Sequence, residues 1–282
     1  MFELKSKNKS LDLSAPLVMG IVNVTPDSFS DGGQFANFDA ACAHVDKLVA
    51  QGAKILDIGG ESTRPGAAEV SLADELARVI PVIEYAAQKY AGTGGGIWLS
   101  IDTSKPEVMA AAVNAGADMI NDVRALQLPG ALEMAANLNV PVCLMHMKGE
   151  PKDMQEAPEY QDIIQEVSDF FDVRVDACMA AGIERGNILL DPGFGFGKTL
   201  EHNYQLLAQL PALHAFHLPI LIGLSRKRMI GELLQRDVTE RLAGSLAGAL
   251  IAAQQGARIL RVHDVAETRD VLSVMSATMA CS

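Results

Sequence analysis

Three stretches of the chain share one pattern of apolar and polar positions: GAKILDIGG from Gly52, GADMINDV from Gly116 and GARILRVHD from Gly256. In each, a glycine follows a helical stretch, a short apolar run comes next, and polar residues close the run. Glycine just past a helix accepts the left-handed conformation that ends it. The runs are too short for helices and too uniformly apolar for strands with one wet face, so they predict parallel strands covered on both sides. Five more runs end the same way: LVMGIVN at Asn23, IWLSIDTS at Asp102, VPVCLMH at His146, NILLDPG at Asp191, and LPILIGLSRK at Ser225 to Lys227.

Helical spacing fills the intervals. Residues 39–51, 71–90, 130–138, 160–181, 201–210, 227–234, 241–255 and 268–279 carry apolar positions at three- and four-residue steps, and Lys105-Pro106-Glu107 opens one more helix with proline in its first turn. Ser71 followed by Asp74 resembles a capping box with aspartate in place of glutamate. Eight strands alternating with helices predict one (β/α)8 barrel spanning residues 1–282 as a single domain, with a doubly wound open sheet as the alternative. In a parallel barrel the carboxyl ends of all strands surround one mouth, where ligands bind. Three long loops follow strands and so border that mouth: 23–38, 59–69 and 147–160. They are candidate lids. The glycine-rich 91–96 stretch precedes a strand and falls at the opposite end.

Composition narrows the partners. Of 282 residues, 49% are hydrophobic and 21% charged, which suits a full-sized core, and the net charge of −12 argues against a nucleic-acid partner. The four cysteines, Cys42, Cys143, Cys178 and Cys281, have neither disulfide nor zinc spacing. With no apolar leader and no run of 18 apolar residues, the expectation is a reduced, cytoplasmic protein that neither crosses nor binds a membrane.

The strand tips carry the candidate chemistry. Asp57, Asp102, Asn121, Asp122 and Asp191 supply acids and an amide from separate strands. Such a ring could hold magnesium or calcium, or a flat heterocycle rich in N–H groups. Asp57 lies within its strand, so a structural role competes with a functional one. Arg64 stands in the second long loop, Lys227 follows the seventh barrel strand, and Arg261 with His263 tips the eighth, where phosphate often binds in barrels. Arg226 and Arg228 flank Lys227 and are assigned to the surface. Lys227 could also serve as a Schiff-base lysine. His146 has a catalytic and a structural reading. DPGFGFGKT (191–199) fails the phosphate-loop spacing because Pro192 stands where glycine is required, so its glycines predict a tight turn that lets backbone approach a ligand. No serine or cysteine nucleophile motif is present.

NVTPDSFSDGG (23–33) with GESTRPG (60–66) closely resembles the two signature segments of the dihydropteroate synthase family. The resemblance continues through IDTSKP (101–106), IND (120–122), LDPGFGFGK (190–198), SRK (225–227) and RVH (261–263). Only the glycine stretch at 92–96 is longer than the family pattern. The resemblance implies a (β/α)8 transferase of folate synthesis and sulfonamide target. It would join 4-aminobenzoate to 6-hydroxymethyl-7,8-dihydropterin diphosphate and release diphosphate, with Mg2+, as a homodimer. It assigns Asp102, Asn121, Asp191 and Lys227 to the pterin. Asn23, Thr63, Arg64, Arg261 and His263 go to diphosphate, Phe29, Pro65 and Ser225 to 4-aminobenzoate, and Asn23 and Asp27 to the metal. Lys227, Arg261 and Asp102 would be catalytic, in a mechanism in which the carbon–oxygen bond breaks first and catalysis rests on stabilising the departing diphosphate and the positive charge developing on the pterin. A pterin barrel that moves a methyl group from methyltetrahydrofolate to a corrinoid protein, and a non-catalytic pterin-binding barrel, are the alternatives.

Overall fold

The computed structural model describes residues 2–7, 9–25, 33–62, 69–90, 96–149 and 158–281, and of 33–37 the backbone alone. Eight parallel strands form the sheet: β3 (Leu17–Asn23), β4 (Ile55–Gly59), β5 (Trp98–Asp102), β6 (Met119–Asp122), β7 (Val142–Met145), β8 (Ile188–Asp191), β9 (Leu221–Ile222) and β10 (Ile259–Val262). Their order is β8-β7-β6-β5-β4-β3-β10-β9, and a parallel bridge between Leu190 and Ile220 joins β8 to β9. The sheet therefore closes on itself, and the open-sheet alternative falls.

Helices wrap the outside: α1 (Gly33–Ala50), α2 (Leu72–Tyr90), α3 (Pro106–Ala115), α4 (Ala131–Leu138), α5 (Ile163–Ala180), α6 (Leu200–Ala208), α7 (Arg228–Leu234), α8 (Leu242–Gln254) and α9 (Val265–Met279). Local chemistry sets their ends. Pro106 occupies the first turn of α3, and Gly116 ends it at φ 123°. Asp162 caps α5 by accepting from the N–H groups of Ile164 and Gln165. Ser71 Oγ accepts from the Asp74 N–H at 3.1 Å, but the Asp74 carboxylate takes the Ser71 hydroxyl proton instead of completing a capping box. α1 begins at Gly33, inside the segment expected to be loop, and α9 begins at Val265, directly after the strand tip. No helix among the described residues is long and apolar enough to cross a membrane. The four cysteines are free, three of them buried.

Side chains alternate across each strand. The outward set, including Leu56, Ile58, Leu99, Ile101, Val142, Leu144, Leu260 and Val262, packs on the helices in the larger core. The inward set begins with one apolar residue from every barrel strand: Met19, Ile55, Trp98, Met119, Cys143, Leu189, Leu221 and Ile259. An antiparallel hairpin not expected from the sequence, β1 (Glu3–Ser6) with β2 (Lys9–Asp12), seats Leu4, Leu11 and Leu13 in that same cluster. The hairpin plugs the amino end of the barrel. Lys9 anchors it to Asp118 at 2.9 Å, and Lys7 donates to the carbonyls of Val113 and Ala117 at the end of α3.

Candidate active site

Two residues further along the same strands, the inward positions turn polar. Asp57 on β4, Ser100 on β5, Asn121 on β6, Asp191 on β8 and Arg261 on β10 stand on the inward alternation, with Asp102 one step higher on β5. Arg261 bridges the barrel: its Nε lies 2.5 Å from Asp57 Oδ2 and its Nη2 2.7 Å from Asp102 Oδ2. Asn121 Nδ2 donates to the same Asp57 oxygen at 3.1 Å. Asp57 thus orients both an amide and a guanidinium, which answers the question the sequence left open. Among the described residues, its other oxygen and Ser100 Oγ are buried without a hydrogen-bond partner. Burial raises the pKa of Asp102; Arg261 opposes that, while Asp57, Asp122 and Glu75 add to it.

Asn121 and Asp122 separate by the strand's alternation. Asn121 faces the barrel, whereas Asp122 accepts from the N–H groups of Arg124 and Leu126 at 2.8 Å and from the Ser104 hydroxyl. Asp122 therefore builds a turn. Asp191 accepts from Gly193 N–H at 2.8 Å, and burial raises its pKa against the pull of Lys227. Lys227 Nζ donates to the Phe194 carbonyl at 2.5 Å and sits 4.5 Å from the centre of the Phe196 ring. Burial pushes the Lys227 pKa down to about 8, with Asp191 resisting and Arg261 assisting. Of its neighbours, Arg226 pairs with Asp264 and is half-buried, and Arg228 lies exposed beside Glu232.

The glycines of the 191–199 segment act differently from expectation. At Gly193 (φ +69°) a Cβ would collide with the His146 carbonyl, and at Gly197 (φ +62°) with that of Lys148. They admit the chain segment after β7 rather than a ligand. Lys198 is buried beneath them and donates to Gly193 O and His146 Nδ1 at 2.9 Å and to Phe196 O at 3.0 Å. His146 stands edge-on to Phe170, and burial together with Lys198 lowers its pKa to about 2. It is a neutral structural histidine. The sequence around Lys198 points to a phosphate loop and gives no sign of its contact with His146.

Higher up, Ser225 Oγ lies 3.1 Å from His263 Nδ1 and accepts from the His263 backbone N–H at 3.2 Å. Arg261 and His263 share a face, as alternation requires, but occupy different levels. The guanidinium pairs with Asp57 and Asp102, and the histidine lies beside Ser225. Asn23 ends β3 half-buried at the rim. Asp27, Phe29, Thr63, Arg64 and Pro65 lie outside the described residues. Among the described residues no group of three His, Cys, Asp or Glu could hold a metal. The oxygen donors of Asn23 and Asp27 suit a hard cation that keeps waters and shares substrate phosphates.

A closed parallel barrel whose mouth buries acids and cations from five strands defines an enzyme for a flat, amino-bearing ring with an anionic group. The chain matches the pterin binding enzyme family over residues 19–263. It is 56% identical over 278 residues to the dihydropteroate synthase of Escherichia coli strain K12, covering 99% of this chain and 97% of that one. A Yersinia pestis dihydropteroate synthase solved with a sulfonamide drug superposes with TM-score 0.93 at 54% identity, over 99% and 100% of the two chains. A Xanthomonas albilineans dihydropteroate synthase with 4-aminobenzoic acid gives 0.91 at 55% identity, over 99% and 98%. The chain belongs to the pterin binding enzymes and, within them, to the dihydropteroate synthases, transferases of folate biosynthesis.

Proposed function

We propose that the barrel mouth joins 4-aminobenzoate to 6-hydroxymethyl-7,8-dihydropterin diphosphate, with the pterin held by Asp102, Asn121, Asp191 and Lys227. The observation that supports this most is the set of donors and acceptors gathered at the carboxyl end of the barrel. Asp191 and Asp102 accept from the ring's N–H and amino groups, Asn121 both donates and accepts, and Lys227 meets the ring acceptors in place of the Phe194 carbonyl. The exocyclic carbon–oxygen bond breaks first, and diphosphate leaves with its electron pair. The positive charge left on the pterin is stabilised by the buried carboxylates. The arylamine nitrogen then attacks the methylene carbon and loses its proton to solvent. An aniline is already a free nucleophile at neutral pH, so no serine, cysteine or general base is needed.

Arg261 acts at the junction of the two halves of the site, turning from Asp57 and Asp102 toward charge that develops above it. Thr63, Arg64 and His263 receive the diphosphate; Phe29, Pro65 and Ser225 receive 4-aminobenzoate. Mg2+ held by Asn23 and Asp27 would neutralise charge on the diphosphate. Homodimeric, cytoplasmic action belongs to the same reading and rests on the family alone.

The test is incubation of the protein with the pterin diphosphate, 4-aminobenzoate and Mg2+. Dihydropteroate and diphosphate should appear in equal amounts. Pterin binding without turnover would favour a non-catalytic barrel. Methyl transfer from methyltetrahydrofolate without diphosphate release would favour the corrinoid reading.

A further inference from the structure

Between β9 and α7 the chain makes a tight turn in which the Lys227 N–H donates to the Leu224 carbonyl at 3.1 Å. Its third residue, Arg226, stands at φ +57°, a position that normally takes glycine or asparagine. An arginine there carries backbone strain, so its surroundings must hold it in place. Three contacts do so. The Arg226 N–H donates to Ser245 Oγ at 2.9 Å, and its carbonyl accepts from Arg241 Nη1 at 3.0 Å. The guanidinium forks onto Asp264, with Nε donating to Oδ2 at 2.9 Å and Nη2 donating to Oδ1.

Asp264 breaks a local rule of its own. It occupies the N-cap position of α9, where an aspartate normally accepts from the first N–H groups of the helix, yet its side chain makes no cap hydrogen bond. The carboxylate faces Arg226 instead. The pair therefore joins the turn after β9 to the residue that directly follows His263 at the tip of β10. At the same junction Ser225 Oγ meets His263 Nδ1 at 3.1 Å and accepts from the His263 N–H at 3.2 Å. A strained turn and an unused cap are each unfavourable alone, and they converge on one ion pair beside three candidate site residues. Local conflicts of this kind gather where function overrides stability.

We propose that Arg226 and Asp264 are positioning residues that lock the tips of β9 and β10 together and so set Ser225, Lys227 and His263 relative to one another. The proposal rests on the function assigned above, in which these three receive 4-aminobenzoate, the pterin ring and diphosphate. Arg226 and Asp264 touch no substrate in this reading and act through their neighbours in the chain. The Arg226 side chain is 38% exposed, which limits what the pair adds to stability.

Arg226→Gly is the discriminating variant. Glycine accepts the φ of the turn without strain, so thermal stability should stay near that of the wild type while the tie to Asp264 is lost. At saturating pterin diphosphate, kcat/KM for 4-aminobenzoate should fall by roughly 10- to 100-fold, since small displacements of positioned groups carry such effects. Arg228→Gln removes the same charge two positions on, from an exposed side chain beside Glu232, and should leave the kinetics unchanged. An equal loss in that variant would assign the effect to charge near the mouth and overturn the proposal. Asp264→Asn still suits an N-cap but gives up the carboxylate. It should lower the same kcat/KM by about tenfold, the size of one charge-assisted hydrogen bond. Added to Arg226→Gly it should cost nothing further, because the two residues act as a unit. Additive losses would overturn the proposal, as would wild-type kinetics in Arg226→Gly. Should Arg226→Gly fail to fold, Asp264→Asn decides, and unchanged kinetics there would overturn it. A wild-type protein that makes no dihydropteroate removes the functional reading and this inference together. An active wild type with kinetically silent variants removes this inference alone.

Discussion

The two ends of the barrel interior are built from the same eight strands and obey opposite rules. At the amino end the inner face is apolar on every strand, from Met19 round to Ile259, and the hairpin leucines close it. Two residues further on, about 6.6 Å of strand, the inner face carries Asp57, Ser100, Asn121, Asp191 and Arg261. The first layer buries apolar area with few polar side-chain atoms, the Trp98 indole N–H chief among them. The second holds charges in the interior and leaves Asp57 Oδ1 and Ser100 Oγ without partners among the described residues. Stability is concentrated at one end so that the other can keep groups that are unfavourable until a ligand meets them. The comparison predicts which measurements each end should move.

The largest effect belongs to the apolar end. Trp98 is among the largest fully buried side chains and sits in the layer beneath the acids. Trp98→Ala should cost about 3–5 kcal/mol in denaturant unfolding. The folded fraction should bind the pterin alcohol normally, and a parallel loss of affinity would mean that the two layers are one unit.

At the polar end the order reverses. Asp191→Asn can keep the acceptor oxygen for Gly193 N–H while presenting an amide donor to a ring donor. Pterin binding should weaken by about 2–4 kcal/mol, one lost charge-assisted bond plus an unpaired group. Because burial already raises the Asp191 pKa, stability should change little. Calorimetry beside thermal unfolding separates the two quantities, and unchanged affinity removes Asp191 from the site.

What the sequence disclosed divides along the same line. Parallel strands and their polar tips are legible because short apolar runs are local signals, whereas closure rests on the long-range pairing of Leu190 with Ile220. Alternation puts Arg261 and His263, two positions apart, on one face. It did not reveal their different depths, which depend on Asp57 and Asp102 arriving from β4 and β5. The hairpin was missed because β1 and β2 offer only Leu4 and Leu11 on four-residue strands, too little for a periodic signal. Glu75 reads as an ordinary acidic residue in a first helical turn, and only the fold brings Lys105 beneath it. Lys198 was read by its glycine neighbours as a phosphate-loop candidate and rejected, and its contact with His146 spans 52 positions. Long-range pairings of charged groups leave no periodic trace.

Lys227 offers a smaller and pH-dependent contrast. Its folded pKa of about 8 lies below the usual lysine value of 10.5, so the folded protein releases that proton first. Between those values the unfolded chain binds more protons, and this group's contribution makes stability rise with pH across that window. Ligand binding runs the other way if the ring acceptors need the ammonium. Pterin affinity should fall above pH 8, by about tenfold per unit at most. Lys227→Met should bind more weakly at pH 7 and lose that slope. A slope that survives in the variant would assign it to another group.

The smallest effect is expected at the hairpin. Lys9 reaches Asp118 at 2.9 Å, and Asp118 also accepts from the Leu99 N–H at 3.0 Å, so removing the lysine leaves the acid one donor. Lys9 is about a third exposed, which screens the pair, and Lys7 still fastens the hairpin to the end of α3. Lys9→Met keeps most of the apolar stem. Unfolding free energy should fall by about 1 kcal/mol. Dihydropteroate formation should be unaltered, because the hairpin's contacts lie at the amino end of the barrel. Leu99 nonetheless lies in β5 and Asp118 directly precedes β6, the strands that carry Asp102 and Asn121. A change in pterin affinity in this variant would show that the plug sets the register of the site above it, and the division between the two ends would then be one of chemistry and not of mechanics.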